Sequence, residues 1–254
     1  MPAKIVTFVG TKGGTMKTAC SLSVATVLAL QGKRVALVDC DPQGSSTRSS
    51  ATMDDDGAGG LRPVRTGRVL DAFTAPAHRV PLAQIEAAGG LLFLYRASMS
   101  LAGATTDQMQ AHVVKAKAGV DYVVVDTMPV MGAPTFGTIM AADLVVVPTD
   151  TSHDSREQLP DTLEVVRQVR PDILVRIVLT KADGRERLTR EAIAELQSDF
   201  ADEVYGVSIP VSAAAKNAGA EFAPSVLVCA GEKVADAYHA LGALIAHDLA
   251  GGRS

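Results

Sequence analysis

Gly10-Thr11-Lys12-Gly13-Gly14-Thr15-Met16-Lys17-Thr18 is the stretch that decides the fold of this chain. An apolar, β-branched run precedes it (Ile5–Val9) and a helix-like run follows it (Ala19–Leu30). A strand, a Gly-rich loop ending in Lys-Thr, and a helix make a phosphate cradle. Loop N–H groups and the positive helix end face the anion, the lysine reaches the terminal phosphates, and the hydroxyl is offered to Mg²⁺. Lys17 and Thr18 hold those two positions, with Gly13, Gly14, Thr15, Met16 and Ala19 around them as loop and first helical turn. Two features stand apart. The outer glycines of G-x-x-x-x-G-K-[ST] are here Thr11 and Met16, and glycine is used where φ is positive or the backbone must approach a ligand. Met16 is therefore expected to crowd or distort the loop. Lys12 is a second lysine that phosphate binding inside one subunit does not require.

Outward from this loop, short Val/Ile-rich runs alternate with helical patterns. The strands are expected at Arg34–Val38, Leu91–Leu94, Tyr122–Val125, Leu144–Val147 and Leu174–Leu179. Helices are expected at Thr106–Lys117, Arg156–Val169 and Thr189–Phe200. Continuous rather than alternating apolar runs indicate parallel strands covered on both faces. The fold class is α/β, doubly wound, with a mostly parallel sheet and ligands beyond the carboxyl ends of its strands.

Composition narrows the function classes. The chain has 254 residues, 47% of them apolar, and no low-complexity linker, so one domain spanning 1–254 is expected. A net charge of −4 argues against a constitutively basic nucleic-acid binder and leaves room for a local basic face. Cys20, Cys40 and Cys229 form no metal-binding spacing and read as reduced, structural thiols. The amino terminus leads directly into the first strand without a signal peptide, and no apolar run approaches the roughly 20 residues of a membrane span. Ala235–Leu249 carries almost no Lys or Arg and reads as a packing helix. These features indicate a cytoplasmic protein with no membrane partner. Ala51–Gly67 reads as a surface loop, and its Asp54-Asp55-Asp56 run as solvated rather than metal-binding.

Two further motifs lie at strand ends. Val38-Asp39-Cys40-Asp41-Pro42-Gln43-Gly44 puts carboxylates near the cradle, where Asp41 is placed to orient or deprotonate a water attacking a γ-phosphate. The alternative is a pair of turn and cap aspartates. Asp121-Tyr122-Val123-Val124-Val125-Asp126-Thr127-Met128-Pro129 is an apolar strand ending in Asp126, whose carboxylate would hold Mg²⁺ through water opposite Thr18.

Taken together, the motifs resemble the ParA family of deviant Walker A ATPases, relatives of MinD. The family loop K-G-G-x-G-K-[ST] is matched by Lys12, Gly13, Gly14, Lys17 and Thr18, with Met16 as the exception. D-x-D-P-Q-G is matched by Asp39 through Gly44, and D-Y-h-h-h-D-x-x-P by Asp121 through Pro129. T-M-x-D-x-R looks like Thr180-Lys181-Ala182-Asp183-Gly184-Arg185, and Ile209-Pro210 matches the I-P turn. The resemblance implies a P-loop fold binding ATP and Mg²⁺, with Thr180 and Pro210 among the nucleotide-binding residues. It implies an ATP-dependent sandwich homodimer in which Lys12 reaches the partner's nucleotide. It further implies nonspecific DNA binding on the nucleoid and slow hydrolysis until a ParB-like or other adaptor stimulates it. The length looks like that of the small class without an amino-terminal DNA-reading domain.

Some points stay open. Thr180-Lys181-Ala182-Asp183 also resembles the T-K-x-D guanine-reading motif of GTPases. Five basic residues against two acidic ones between Arg176 and Arg190 suggest a positive face for DNA. By the resemblance Arg185 contacts phosphate there. The family's I-P-R-N-x-R segment lacks both arginines here, at Val211 and Ala214, which leaves Lys216 to compensate or a different surface in use. A hydrolysis-deficient nucleotide-gated or apo binding module, with Thr11 and Met16 as its signs, is the alternative function. An iron–sulfur relative is disfavoured, because Cys229 is the only cysteine after Asp126.

Overall fold

The computed structural model describes residues 2–49, 53–55, 61–63, 71–80, 82–183, 185–213 and 224–251. Along the chain run β1 (Lys4–Phe8), α1 (Lys17–Leu30), β2 (Arg34–Cys40), α2 (Ser45–Ser49), β3 (Met53–Asp55), β4 (Leu61–Pro63) and β5 (His78–Arg79). Next come α3 (Ala83–Ala87), β6 (Leu91–Tyr95), α4 (Thr106–Lys115), β7 (Tyr122–Thr127), α5 (Ala133–Ala141) and β8 (Leu144–Asp150). The remainder is α6 (His153–Val169), β9 (Leu174–Ala182), α7 (Arg187–Asp199), β10 (Val204–Pro210), α8 (Ser225–Val228) and α9 (Lys233–Leu249). Eight strands form one sheet in the order β10-β9-β8-β1-β7-β2-β6-β5. All its neighbours pair in parallel except β5, which is antiparallel to β6.

The alternation of the pleat explains the continuous apolar runs. Val6, Phe8, Val124 and Val146 enter one core layer beneath α1 and α9, while Ile5, Val123, Val125 and Val145 enter the other beneath α4, α5, α6 and α7. Each such side chain, fully buried, contributes roughly 1.5–3 kcal/mol relative to exposure. The first layer draws α9 tightly onto α1. A Cβ at Gly242 would lie 2.6 Å from Val27 Cγ1, so the contact admits only glycine there. Helix α1 is buried without interruption from Cys20 to Ala29. Ala235–Leu249 is thus the packing helix expected, and Cys20, Cys40 and Cys229 are all buried. Among the described residues no helix is long and apolar enough to cross a membrane.

The expected strands and helices are present with ends shifted by a few residues, while β5, β10, α2, α3, α5 and α8 were not anticipated. The stretch expected to be loop contains a hairpin instead: β3 and β4 pair antiparallel, with Asp54 opposite Arg62 and Asp55 opposite Leu61. Such short strands are set by cross-strand partners rather than by their own propensity. Asp56 lies outside the described residues.

The basic run from Arg176 to Arg190 is also corrected. Arg176 sits inside β9 and is buried under α9. Its Nε and Nη2 donate to Asp248 Oδ2 and Oδ1 at 2.8 and 3.0 Å, and Tyr205 OH donates to the same Oδ2 at 2.8 Å. It belongs to the interior and is no part of an exposed basic face.

A buried histidine predicts a pH dependence. His112 packs edge-on against Phe73 and Tyr95, with ring centroids 5.3 and 6.1 Å away, and neither ring nitrogen has a hydrogen-bond partner. Burial, aided by Lys115, pushes its pKa down to about 4 from an ordinary 6.5. As pH falls from 6.5 to about 4, the unfolded chain takes up a proton that the folded chain refuses. His112 should therefore stabilise the fold fully above pH 6.5 and lose about 3 kcal/mol of that contribution across the window. Urea unfolding at several pH values should show wild type losing stability on acidification relative to His112→Phe. Parallel pH profiles for the two proteins would refute this. The comparison is made as a difference because burial beside Asp126 raises the Asp39 carboxyl, which acts in the opposite sense.

Candidate nucleotide site

The loop leaves β1 and turns into α1 through two residues in the left-handed region, Gly14 (φ 82°) and Met16 (φ 64°). The N–H of Cys20 donates to the Met16 carbonyl at 2.8 Å, so the helix starts directly at Lys17. No side chain caps this end and no acidic residue stands in the first turn, which leaves the N–H groups there for an anion. They face a cavity of about 380 Å³ lined by Lys12 through Ala19, and across from the loop by Asp41, Ser45 and Pro129.

The departures from the glycine pattern do not close the cradle. Met16 adopts the conformation a glycine would, at a cost of about 1–2 kcal/mol for a residue with a Cβ. Its side chain packs partly buried against the core layer under α1 and α9. The expectation that methionine distorts the loop is thereby corrected. Thr11 turns away altogether, its Oγ1 3.3 Å from Gln158 Oε1 and 3.3 Å from Thr162 Oγ1 on α6.

The carboxylates come from the neighbouring strands. β2 and β7 flank each other, with Asp39 in register with Asp126. Asp126 is fully buried; its Oδ2 accepts from Ser46 Oγ at 2.7 Å, and Lys17 Nζ lies 3.5 Å from its Oδ1. That Oδ1 has no hydrogen-bond donor. Lys17 itself is buried and also donates to the Thr127 carbonyl. Asp39 faces inward and accepts from the Thr47 N–H (2.6 Å) and hydroxyl (2.7 Å), so it shapes the turn and does not line the cavity. Asp41 does line it, with Oδ1 fixed by the Gln43 N–H at 2.8 Å. Thr18 and Asp41 line the cavity, while Asp126 with its unpaired Oδ1 lies buried beside Lys17; these are hard oxygen donors of the kind that suits Mg²⁺ and a polyphosphate.

The remaining sequence-derived residues lie on the rim of the loop or beyond it. Lys12 Nζ donates to Ser152 Oγ at 2.8 Å and stands 3.7 Å from Asp154 Oδ2, at the start of α6. Thr180 is buried beside the loop, its hydroxyl within 3.1 Å of both the Thr15 and Thr149 carbonyls. Pro210 lines a separate cavity with Asp183 and Arg185. Arg185 is exposed and clasps the Asp183 carboxylate through Nε and Nη2, each at 3.1 Å. That clasp engages the oxygens a guanine edge would need. Lys216 lies outside the described residues. Ser46, Asp150 and Ser152 were not anticipated, because isolated Ser and Asp residues after strands carry no distinctive spacing.

A family model described as an AAA domain matches residues 3–178. The sporulation initiation inhibitor protein Soj of Bacillus subtilis is 28% identical over 249 residues, covering 92% of this chain and 95% of Soj. The chromosome-partitioning ATPase Soj of Thermus thermophilus is 30% identical over 207 residues, 78% of each chain. Among solved structures, cobyrinic acid a,c-diamide synthase from Mycobacterium smegmatis, with a bound ATP analogue and magnesium, superposes with a TM-score of 0.71. It is 26% identical and covers 99% of this chain and 98% of its own. With the loop, the two aspartate motifs and the doubly covered parallel sheet all in place, the chain belongs to the ParA family of deviant Walker A ATPases.

Proposed function

We propose that this protein is an ATP- and Mg²⁺-dependent partition or positioning ATPase acting as one domain over residues 1–254. The observation that carries the reading is convergence: the phosphate loop follows β1, Asp41 follows β2 and Asp126 lies near the end of β7, three adjacent strands whose carboxyl ends meet beside one cavity. Relatives named as chromosome-partitioning ATPases support the activity, and a relative holding an ATP analogue with magnesium supports the ligands.

Lys17 and the loop N–H groups bind phosphate, and Thr18 with Asp126 hold the metal. When bound, Mg²⁺ neutralises charge on the phosphate oxygens. Asp41 orients the attacking water and takes its proton. Lys12, on the rim of the loop, completes the site of a second copy in an ATP-dependent homodimer. Arg185 contributes to nonspecific DNA binding, and a ParB-like or other adaptor stimulates turnover. The protein then works in the cytoplasm on the nucleoid. The outward turn of Thr11 and the glycine-like backbone of Met16 speak against a degenerate loop, and the Arg185–Asp183 clasp speaks for adenine over guanine.

Light scattering with Mg²⁺ alone, with ATP, and with a slowly hydrolysed ATP analogue tests this. A monomer that becomes a dimer only with nucleotide is the expected result. A constant mass together with no nucleotide binding would refute the reading and favour a binding module without turnover.

A further inference from the structure

Lys181 stands one residue before the end of β9, directly after Thr180, at a position where the family motif carries methionine. With Met16 it is one of two non-glycine residues of positive φ among the described residues, at 54°. A backbone that most side chains avoid persists only where its surroundings impose it. Here it turns the side chain back over the phosphate loop. Nζ lies 3.9 Å from the point a Cβ on Gly14 would occupy, and 3.0 Å from Asp150 Oδ2 at the end of β8.

Asp150 is buried, with its side chain 8% exposed. Burial alone would raise its carboxyl, but hydrogen bonds from Ser152, Ser155 and Lys181 outweigh that and hold it well below the usual carboxylate range. It is therefore an anion at any working pH. Ser152 Oγ donates to Asp150 Oδ1 and accepts from Lys12 Nζ. Lys12, Ser152, Asp150 and Lys181 thus form one chain of polar contacts along the outer side of the loop. Beside it, the Thr180 hydroxyl meets the Thr15 carbonyl, so two consecutive residues of β9 grip the loop from the same side.

We propose that Lys181 is a positioning residue for the nucleotide phosphates: anchored on Asp150, its ammonium braces the loop at Gly14 and adds a third positive charge on the outer side of the loop that carries Lys12 and Lys17. The assignment rests on the ATPase reading above. An ordinary surface lysine would extend into water from a relaxed backbone. This one, although its side chain is 42% exposed, is held against the loop by a left-handed backbone and has a buried counter-ion of its own.

The test is the affinity for a fluorescent ATP analogue with Mg²⁺, measured across a salt series and alongside thermal unfolding. Lys181→Met keeps the length and removes the charge, and should weaken binding about tenfold, the worth of one charged hydrogen bond. Its affinity should also fall less steeply with salt than that of wild type. Lys181→Arg should restore most of the loss, and both variants should unfold at nearly the wild-type temperature. Asp150→Asn frees the lysine from its anchor and should weaken binding as well. Combined with Lys181→Met, it should add little beyond the single change, as for residues acting together. Unchanged affinity in Lys181→Met, or a Lys181→Arg variant as weak as Lys181→Met, would overturn the assignment while leaving the ATPase reading intact. Wild-type protein that binds no nucleotide would overturn both.

Discussion

Asp41→Ala is expected to bind Mg²⁺-ATP with wild-type affinity and to turn it over at least about a hundredfold more slowly, the usual worth of a positioned general base. Asp41 is the carboxylate that lines the cavity opposite the phosphate loop, while Asp39 two residues earlier is turned inward and bonded to Thr47. The Gln43 N–H holds one Asp41 oxygen, which leaves the other free to meet a water. Removing the side chain takes nothing from Lys17, the loop N–H groups or Asp126, so ground-state binding should survive. Single-turnover hydrolysis beside an equilibrium titration separates the two effects. Turnover within a fewfold of wild type would remove Asp41 from the chemistry. A matched loss of affinity would make it a binding group instead.

The second large effect is on stability. Asp248→Ala should lower the unfolding free energy by about 3–5 kcal/mol, because it strips a buried guanidinium of its carboxylate. Asp248 takes two hydrogen bonds from Arg176 and one from Tyr205, and the Arg176 guanidinium also lies 5.7 Å from the centre of the Tyr205 ring. This cluster fastens α9 to β9 and β10, the far edge of the sheet. The double change Arg176→Met with Asp248→Leu, which replaces the ion pair by apolar side chains, should recover most of the loss. Urea unfolding with a constant slope measures both. An Asp248→Ala loss under about 1 kcal/mol would show that water reaches the guanidinium and that the pair is ornamental to the fold.

The parts legible in the sequence were those whose physics is local. A strand, a glycine loop and a helix in succession can be read from neighbouring residues, and so can carboxylates that close Val-rich strands. Arg176 was misread for the opposite reason. Its charge is plain in the chain, but the aspartate that makes its burial tolerable stands 72 positions later on α9. Asp150 and Ser152 escaped notice similarly, since their significance comes from Lys12 on the phosphate loop and Lys181 on β9. Met16 looked disruptive because its residue type was visible while its torsion angle was not. Once the backbone holds φ at 64°, the methionine occupies a glycine's place and packs partly buried against the edge of the core.

Helix α1 is closed in on every side, down to the glycine of α9 that lets the two axes approach. A helix so enclosed cannot tilt or slide to greet an anion. Its first turn is a fixed frame, already shaped before any phosphate arrives, so little ordering entropy is spent on capture. The same rigidity makes the interior contacts between α1 and α9 part of the recognition apparatus. A side chain that never nears the nucleotide can still set how well the frame fits it.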